Sequence, residues 1–415
     1  MRRSVFAAGA LAFCASTAQA FAPSTSGLTS LLATPALSHK ARARAGPASS
    51  LRMATGTLQR VDVRVQKDAD SLAKDSSKYV EYVNKLFPGT VDEAIEFVRT
   101  AREDGHSVSF AGGGTDLLQL VKERVVNRSG QDVPDVLVNL KSLEGVDQVS
   151  FNSLGGVAIG GLTTLSNLAN NSRISDDYKV LAEAAGQVGT PQIRNVGTLA
   201  GNVCQRPWCW YYRNGFPCYK AGGNECFSIV GENQLHAIFG GGPSFIVHPS
   251  DVAPALVALD ASFNVAGPSG NRVISSSDFF VLPRDDVQHE NVLSDEEFLI
   301  SVDLPAPSNG LKSAYHKVMD RDAWTHALVS AAIVMEMDEE ICRSAKIVLG
   351  GVAPVPWRVP AAEELLIGNV VTEELARSVG AAAVAGARPL AKNAYKIPLV
   401  RGVVARTVLA LAATV

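Results

Sequence analysis

The amino-acid sequence predicts an α+β protein, and three observations carry that prediction. Strand-like and helical runs alternate from about residue 80 to residue 200, a turn-rich linker falls at 305–310, and strand-like runs beyond it give way to alanine-rich helical stretches. The length of 415 residues suits two or three packing units rather than one core. No segment recurs at a fixed period, which excludes solenoids and propellers.

Val91, Ala94, Ile95, Phe97 and Val98 recur at helical spacing, with Asp92 and Glu93 in the first turn, where they complement the helix dipole. Ser107, Val108, Ser109 and Phe110 alternate as a short strand that stops at Gly112, Gly113 and Gly114. Thr115 or Asp116 then caps a helix through Leu117, Leu118 and Leu120. Residues 136–140 and 157–159 read as further strands, the second followed by Gly160, Gly161 and a capped helix over 164–170. Past the linker, 328–335 and 345–352 read as strands and 361–387 as helical.

The first 55 residues stand outside this pattern. Arg2 and Arg3 precede an apolar run, 5–13, and a small-residue stretch ending Ala18-Gln19-Ala20, the layout of a secretory signal. Residues 21–52 are rich in Ser, Thr, Ala and Pro, carry Lys40, Arg42, Arg44 and Arg52, and hold no acid, the composition of an organelle transit peptide. The two parts together resemble the bipartite plastid leaders of algae with secondary plastids, with Phe21 just after the first cleavage point. Plain secretion is the alternative. The net charge of -3 argues against nucleic acid as a partner, because phosphate binding needs a cationic excess. No apolar stretch reaches the roughly 20 residues that span a bilayer.

Two segments are built to bring backbone N–H groups close to an anion. At 111–117 (AGGGTDL) three glycines remove every Cβ from a strand-to-helix turn. Asp116 would repel a phosphate, so it reads as a helix cap. The second segment, 188–203 (VGTPQIRNVGTLAGNV), offers hydroxyls, side-chain amides and backbone donors together, although Gly201-Asn202 alone would suit a hairpin turn. Neither follows the Gly-x-Gly-x-x-Gly dinucleotide pattern. Directly after the second segment, Cys204, Cys209, Cys218 and Cys226 fall in a C-x4-C-x8-C-x7-C spacing. Two disulfides, a structural Zn²⁺ and an iron–sulfur cluster compete for them. A reducing stroma disfavours disulfides, and zinc sites commonly use tight C-x2-C pairs, which are missing here. His236 and His248 are available as fourth ligands in the zinc alternative, against a plain hydrogen-bonding role.

Together these motifs resemble the medium, FAD-binding subunits of molybdenum hydroxylases, over about residue 79 to the end. The carriers are AGGGTDLL (111–118), IGGLTTL (159–165), IRNVGTLAGNVCQRPWCWYYR (193–213), HPSDVAPALVALDA (248–261), KVMDRDAWTHALVSAA (317–332) and GGVAPVPWR (350–358). The resemblance implies a p-cresol-methylhydroxylase-type FAD-binding domain of two subdomains, 79–145 and 146–308, and a small C-terminal α+β domain, 311–415. It implies that Gly112, Gly113, Gly114 and Thr115 wrap the FAD pyrophosphate. Ile193, Asn195, Gly197, Thr198, Gly201 and Asn202 would line the pyrophosphate and flavin side. Asp251 would contact the adenosine part, with a helix-cap role as the alternative, and Lys317 would stand near the flavin ring.

The cysteine insert, 204–226, resembles the aldehyde oxidoreductase and 4-hydroxybenzoyl-CoA reductase branch, which implies a [4Fe-4S] cluster on Cys204, Cys209, Cys218 and Cys226. Cys204 fits the pattern least well. The implied function is an electron relay between a molybdenum-cofactor large subunit, a [2Fe-2S] small subunit and an external acceptor such as NAD⁺, oxygen, a quinone or ferredoxin. A stand-alone plastid flavoprotein and a zinc-stapled binding protein are the rival readings.

Overall fold

The computed structural model describes residues 59–64, 80–125 and 133–413. All of them fall in the compact unit Met53–Val415. The expected targeting leader, 1–55, lies outside the described residues.

The N-terminal sheet contains β1 (Gln59–Arg64), β2 (Val80–Leu86), β3 (Val108–Ala111) and β4 (Val136–Asn139) in the order β1-β2-β4-β3. β2, β4 and β3 run parallel and β1 is antiparallel to β2. Helix α1 (Val91–Glu103) starts at Thr90, whose hydroxyl accepts from the Glu93 amide. It buries Ala94, Phe97, Val98 and Ala101, the i, i+3, i+4, i+7 stripe that the sequence displays. Burying a side chain such as Phe97 contributes about 1.5–3 kcal/mol. The short α2 (Leu117–Lys122) follows β3.

A second sheet, antiparallel throughout, has the order β5-β6-β9-β7-β8. Its strands are β5 (Val149–Phe151), β6 (Val157–Gly160), β7 (Ser262–Ala266), β8 (Arg272–Ser275) and β9 (Phe298–Leu304). Between β6 and β7 the chain makes α3 (Leu165–Asn170), α4 (Ser172–Asp177), α5 (Lys179–Gly186), α6 (Pro191–Val196), α7 (Leu199–Val203), α8 (Trp210–Arg213) and α9 (Val252–Ala258). A single turn, α10 (Ser276–Phe279), follows β8. Gly201 and Asn202 therefore lie inside α7, and the hairpin alternative for them is overturned.

The C-terminal region has the antiparallel sheet β10 (Leu311–Val318), β11 (Val329–Asp338), β12 (Ile341–Gly350) and β13 (Trp357–Arg358). Helices α11 (Pro360–Glu364), α12 (Glu373–Ala382) and α13 (Lys396–Ala413) complete it. Both faces of β11 are covered. Ala332 and Val334 join the core beneath α5 and α9, whereas Ala331, Ile333 and Met335 join the core under α12 and α13. Period-two alternation thus makes one strand the wall between two cores. It also explains why 328–335 reads as an almost continuous apolar run.

Candidate flavin cleft and the cysteine lobe

The cleft is where the two glycine segments meet. β3 ends at Ala111 and the chain turns through Gly114, whose φ of 74° is left-handed and favours glycine. The second segment forms α6 and α7, capped by Thr190 and Thr198, which accept from the amides of Ile193 (3.3 Å) and Gly201 (3.2 Å). The IGGLTTL stretch holds this segment in position: the Ala200 amide donates to Gly161 O, Leu199 to Thr163 O and Leu165 to Gly197 O.

Glycine is required because the two segments touch through their backbones. A Cβ on Gly113 would stand 2.3 Å from Val196 O and 2.9 Å from Gly197 Cα. One on Gly112 would meet Thr198 Oγ1 at 3.0 Å, and one on Gly201 the same oxygen at 2.9 Å. Gly113 therefore serves loop-to-loop contact as much as access for an anion.

Two cavities open on either side of this contact and share Thr115, Asp116, Thr198, Gly201 and Gln205. The first is walled by Gly112, Gly113, Gly114, Phe110, Cys204 and 294–299. The second is walled by Ile193, Gly197, Asn202, Trp208, Asp251 and the segment 320–328. Within that segment Trp324 takes a left-handed φ of 58°, and its amide donates to Gly189 O at 3.2 Å. The two cavities thus adjoin where the glycine segments meet.

Residues 81–307 match the family described as the FAD binding domain in molybdopterin dehydrogenase, and 314–411 match the CO dehydrogenase flavoprotein C-terminal domain. The chain belongs to the FAD-binding subunits of the molybdopterin dehydrogenase family. It is 36% identical over 296 residues to the aldehyde oxidoreductase FAD-binding subunit PaoB of Escherichia coli K12, covering 70% of this chain and 87% of that protein. It is 24% identical over 306 residues to the carbon monoxide dehydrogenase medium chain of Hydrogenophaga pseudoflava, covering 73% and 86%. The fold matches a solved carbon monoxide dehydrogenase from the same organism with a TM-score of 0.60 and 23% identity, covering 78% of this chain and 95% of that one.

In this FAD-binding subunit the glycine loop fits the cofactor the family carries, because Gly112, Gly113 and Gly114 line the first cavity with backbone and no side chains. Gly112, Gly113, Gly114 and Thr115 line the first cavity; Ile193, Gly197, Thr198, Gly201 and Asn202 line the second. Asn195 does neither: it is exposed on α6. Asp251 lines the second cavity together with Ile193 and Asn202. Its carboxylate accepts from Lys317 Nζ and from the Tyr315 hydroxyl, each at 2.7 Å. It makes no cap bond; Ser250 caps α9 by accepting from the Ala253 amide.

Lys317 lines neither cavity. It is buried, and its ammonium is held by Asp251 and by Gln187 O at 3.0 Å. Burial and the adjacent Asp251 carboxylate push the Tyr315 phenol well above its ordinary range.

Asp116, read from the sequence as a cap, makes no side-chain bond to its helix. Its carboxylate instead accepts from the Arg206 amide at 2.9 Å and from Arg213 Nη2 at 2.7 Å. The first glycine loop is thereby tied to the segment that follows the second glycine tract, a connection the sequence offers no signal for.

That segment opens the cysteine lobe, whose backbone is held by a buried charge network. Glu290 pairs with Arg206 at 2.6 Å and with Lys220 at 2.7 Å, and Arg206 Nε also donates to the Tyr212 hydroxyl. Cys209, Cys218 and Cys226 converge inside it, each close enough for the others' charge to be felt. Backbone amides point at all three sulfurs: Tyr211 and Tyr212 at Cys209, Lys220 and Ala221 at Cys218, and Phe245 at Cys226 (3.4 Å). Burial pushes the Cys209 thiol up to about 11, so a metal would have to displace its proton.

None of the described cysteines is in a disulfide. Among the described residues no group of three or more His, Cys, Asp or Glu side chains is arranged to hold a metal ion, so the zinc alternative finds no support and a cluster has no preformed ligand set. Cys204 is apart from the other three: it packs against the core beneath the central sheet and lines the first cavity. His248 is also elsewhere, buried against Phe280, with Nδ1 accepting from the Ser250 amide.

Proposed function

We propose that this chain is the electron-relay flavoprotein of a molybdenum-hydroxylase-type complex, working beside a molybdenum-cofactor large subunit and a [2Fe-2S] small subunit. The observation that carries the reading is the pair of glycine segments in backbone contact, with a groove running to both sides of it. FAD, when bound, accepts electrons singly or in pairs and so joins one-electron to two-electron carriers. The chain's own task is to hold the pyrophosphate in the groove beside the glycine contact and to shield the second cavity from water with 320–328. The Asp251–Lys317 pair keeps its charge neutralised inside that wall.

The lobe is read as the seat of a [4Fe-4S] cluster on Cys209, Cys218 and Cys226. The gathering of the Cys209, Cys218 and Cys226 thiols in one lobe, with backbone amides near each sulfur, supports it. Destination to a plastid is proposed on the acid-free leader alone.

Anaerobic purification with assay of FAD, iron, acid-labile sulfide and zinc tests the cofactor reading. FAD with about four irons and as many sulfides is the expected result. Zinc without iron removes the cluster, and a colourless folded chain removes the flavin. Co-purification with a molybdenum-containing subunit tests the relay, and its absence from native extracts counts against it. A fluorescent fusion of 1–55 that enters the secretory route without reaching a plastid overturns the localisation.

A further inference from the structure

Resting on the reading that FAD lies along the glycine contact, we propose that Trp208 and Trp324 form a stacking site for a planar, uncharged two-electron acceptor of the quinone class at the mouth of the second cavity. Both rings line that cavity, yet Trp208 is 41% and Trp324 59% exposed. They belong to the segment that opens the cysteine lobe and to 320–328, whereas the second-cavity residues read as holding the flavin lie on α6 and α7. A large aromatic side chain that lines a cavity and is open to solvent offers a face on which a flat ring can stack.

Both rings are held in place. Trp324 takes a left-handed φ of 58°, which a bulky residue adopts only where its surroundings enforce it. Its amide donates to Gly189 O, and its carbonyl accepts from Arg321 Nη2 at 2.8 Å, so the backbone is pinned on both sides. A side chain more than half exposed gains little burial to offset that conformation, and strained residues of this kind gather at ligand clamps. Trp208 is held by the Arg213 guanidinium, 4.8 Å from its ring centroid, and by His326, with ring centroids 5.3 Å apart.

The lining favours an uncharged ring. Leu235, Val247, Pro249 and Leu328 give the cavity apolar wall. Its charges leave no cationic excess: Arg213 and Lys317 are engaged by Asp116 and Asp251, and Asp320 lines the cavity together with Arg321. Burial holds the His326 imidazole below its ordinary range, so it adds no positive charge at neutral pH. A nicotinamide dinucleotide would bring a pyrophosphate of its own, which calls for a surplus of Arg or Lys. A quinone needs only flat apolar contact. Its reduction also balances: two electrons and two protons convert it to the hydroquinone, and a reduced flavin supplies both as it returns to the oxidised form.

The experiment is equilibrium dialysis of the FAD-loaded, oxidised chain against duroquinone, with NAD⁺ as the comparison ligand. With flavin and quinone both oxidised there is no turnover, and the readout is binding alone. The native chain is expected to bind duroquinone saturably, in proportion to its FAD content, and not to bind NAD⁺ over the same concentrations. Trp324→Ala and Trp208→Ala should each weaken duroquinone binding about tenfold with FAD content unchanged. Trp324→Phe, which keeps a ring, should recover most of it.

Unsaturable uptake, or equal binding by the native chain and both alanine variants, overturns the stacking site. So does saturable NAD⁺ binding that duroquinone does not displace. Loss of FAD in either alanine variant makes the rings part of the flavin's own wall, which overturns the acceptor site and leaves the flavin reading intact. A folded native chain that purifies without FAD overturns the flavin reading, and the site with it.

Discussion

In the glycine cleft, backbone meets backbone. Gly113 lies against Val196 O and Gly197, and Thr190 and Thr198 cap the two short helices that bring that backbone forward. In the cysteine lobe next to it, little regular structure exists, and side chains do the holding: Glu290 between Arg206 and Lys220, Tyr212 beneath them, and aromatic rings around the thiols. The first region is held by backbone contact; in the second, burial raises the Cys209 and Cys218 thiols. A site made of missing side chains is rigid by packing. A site made of buried charges and thiols depends on every partner being present.

The sharpest way to break this contrast is Gly113→Val. Its branched side chain would have to displace the second segment's backbone, so FAD retention should be lost altogether, read as absence of flavin absorbance in the purified chain. Gly112→Ala meets only the movable Thr198 hydroxyl and should retain part of the flavin. A yellow Gly113→Val protein would show that the segments need no backbone contact.

Next in size is Glu290→Ala, which leaves Arg206 and Lys220 buried without a counter-charge. It should cost on the order of 3–5 kcal/mol in denaturant unfolding. If the unfolding midpoint is unchanged, the lobe is not held by charge.

A third test addresses Lys396, which is buried under the His236 carbonyl and whose ammonium burial pushes down from 10.5 to about 7. Between those pH values the unfolded chain binds a proton that the folded chain has released. Stability should therefore rise with pH across that window, by at most about 1.4 kcal/mol per pH unit, and level off above it. Lys396→Met should remove this rise, measured as unfolding free energy against pH relative to the parent. The smallest effect is expected for Thr372→Ala, remote from both regions, which removes the cap bond to the Leu375 amide and should cost about 1 kcal/mol with FAD content unchanged.

Local chemistry was legible in the sequence and long-range pairing was not. The stripe of α1, the Thr164 cap, the strand at 136–139 and the glycines at both contact surfaces each declare themselves through spacing or a missing Cβ. Asp116 was misjudged because its partners, Arg206 and Arg213, lie 90 and 97 residues away. Lys317 was placed near the flavin by the family resemblance alone, and its pairing with Asp251, 66 residues away, has no signal in the sequence. Asn195 sits in a recognisable motif but on the outer side of a one-and-a-half-turn helix. Helix α13 went unread because apolar residues surround much of it, as expected where a helix is covered by a sheet and its neighbours. The separation of Cys204 from Cys209, only five residues on, reflects their packing against two different cores and cannot be inferred from spacing.

The two bonds of Asp116 have a further consequence for how the subunit is loaded. They tie the first glycine loop to the segment that opens the cysteine lobe, so a backbone shift in one is felt by the other. On the proposed reading, in which FAD sits by that loop and a cluster in that lobe, thermodynamic reciprocity requires that whatever factor the flavin adds to the lobe's affinity is returned to the flavin.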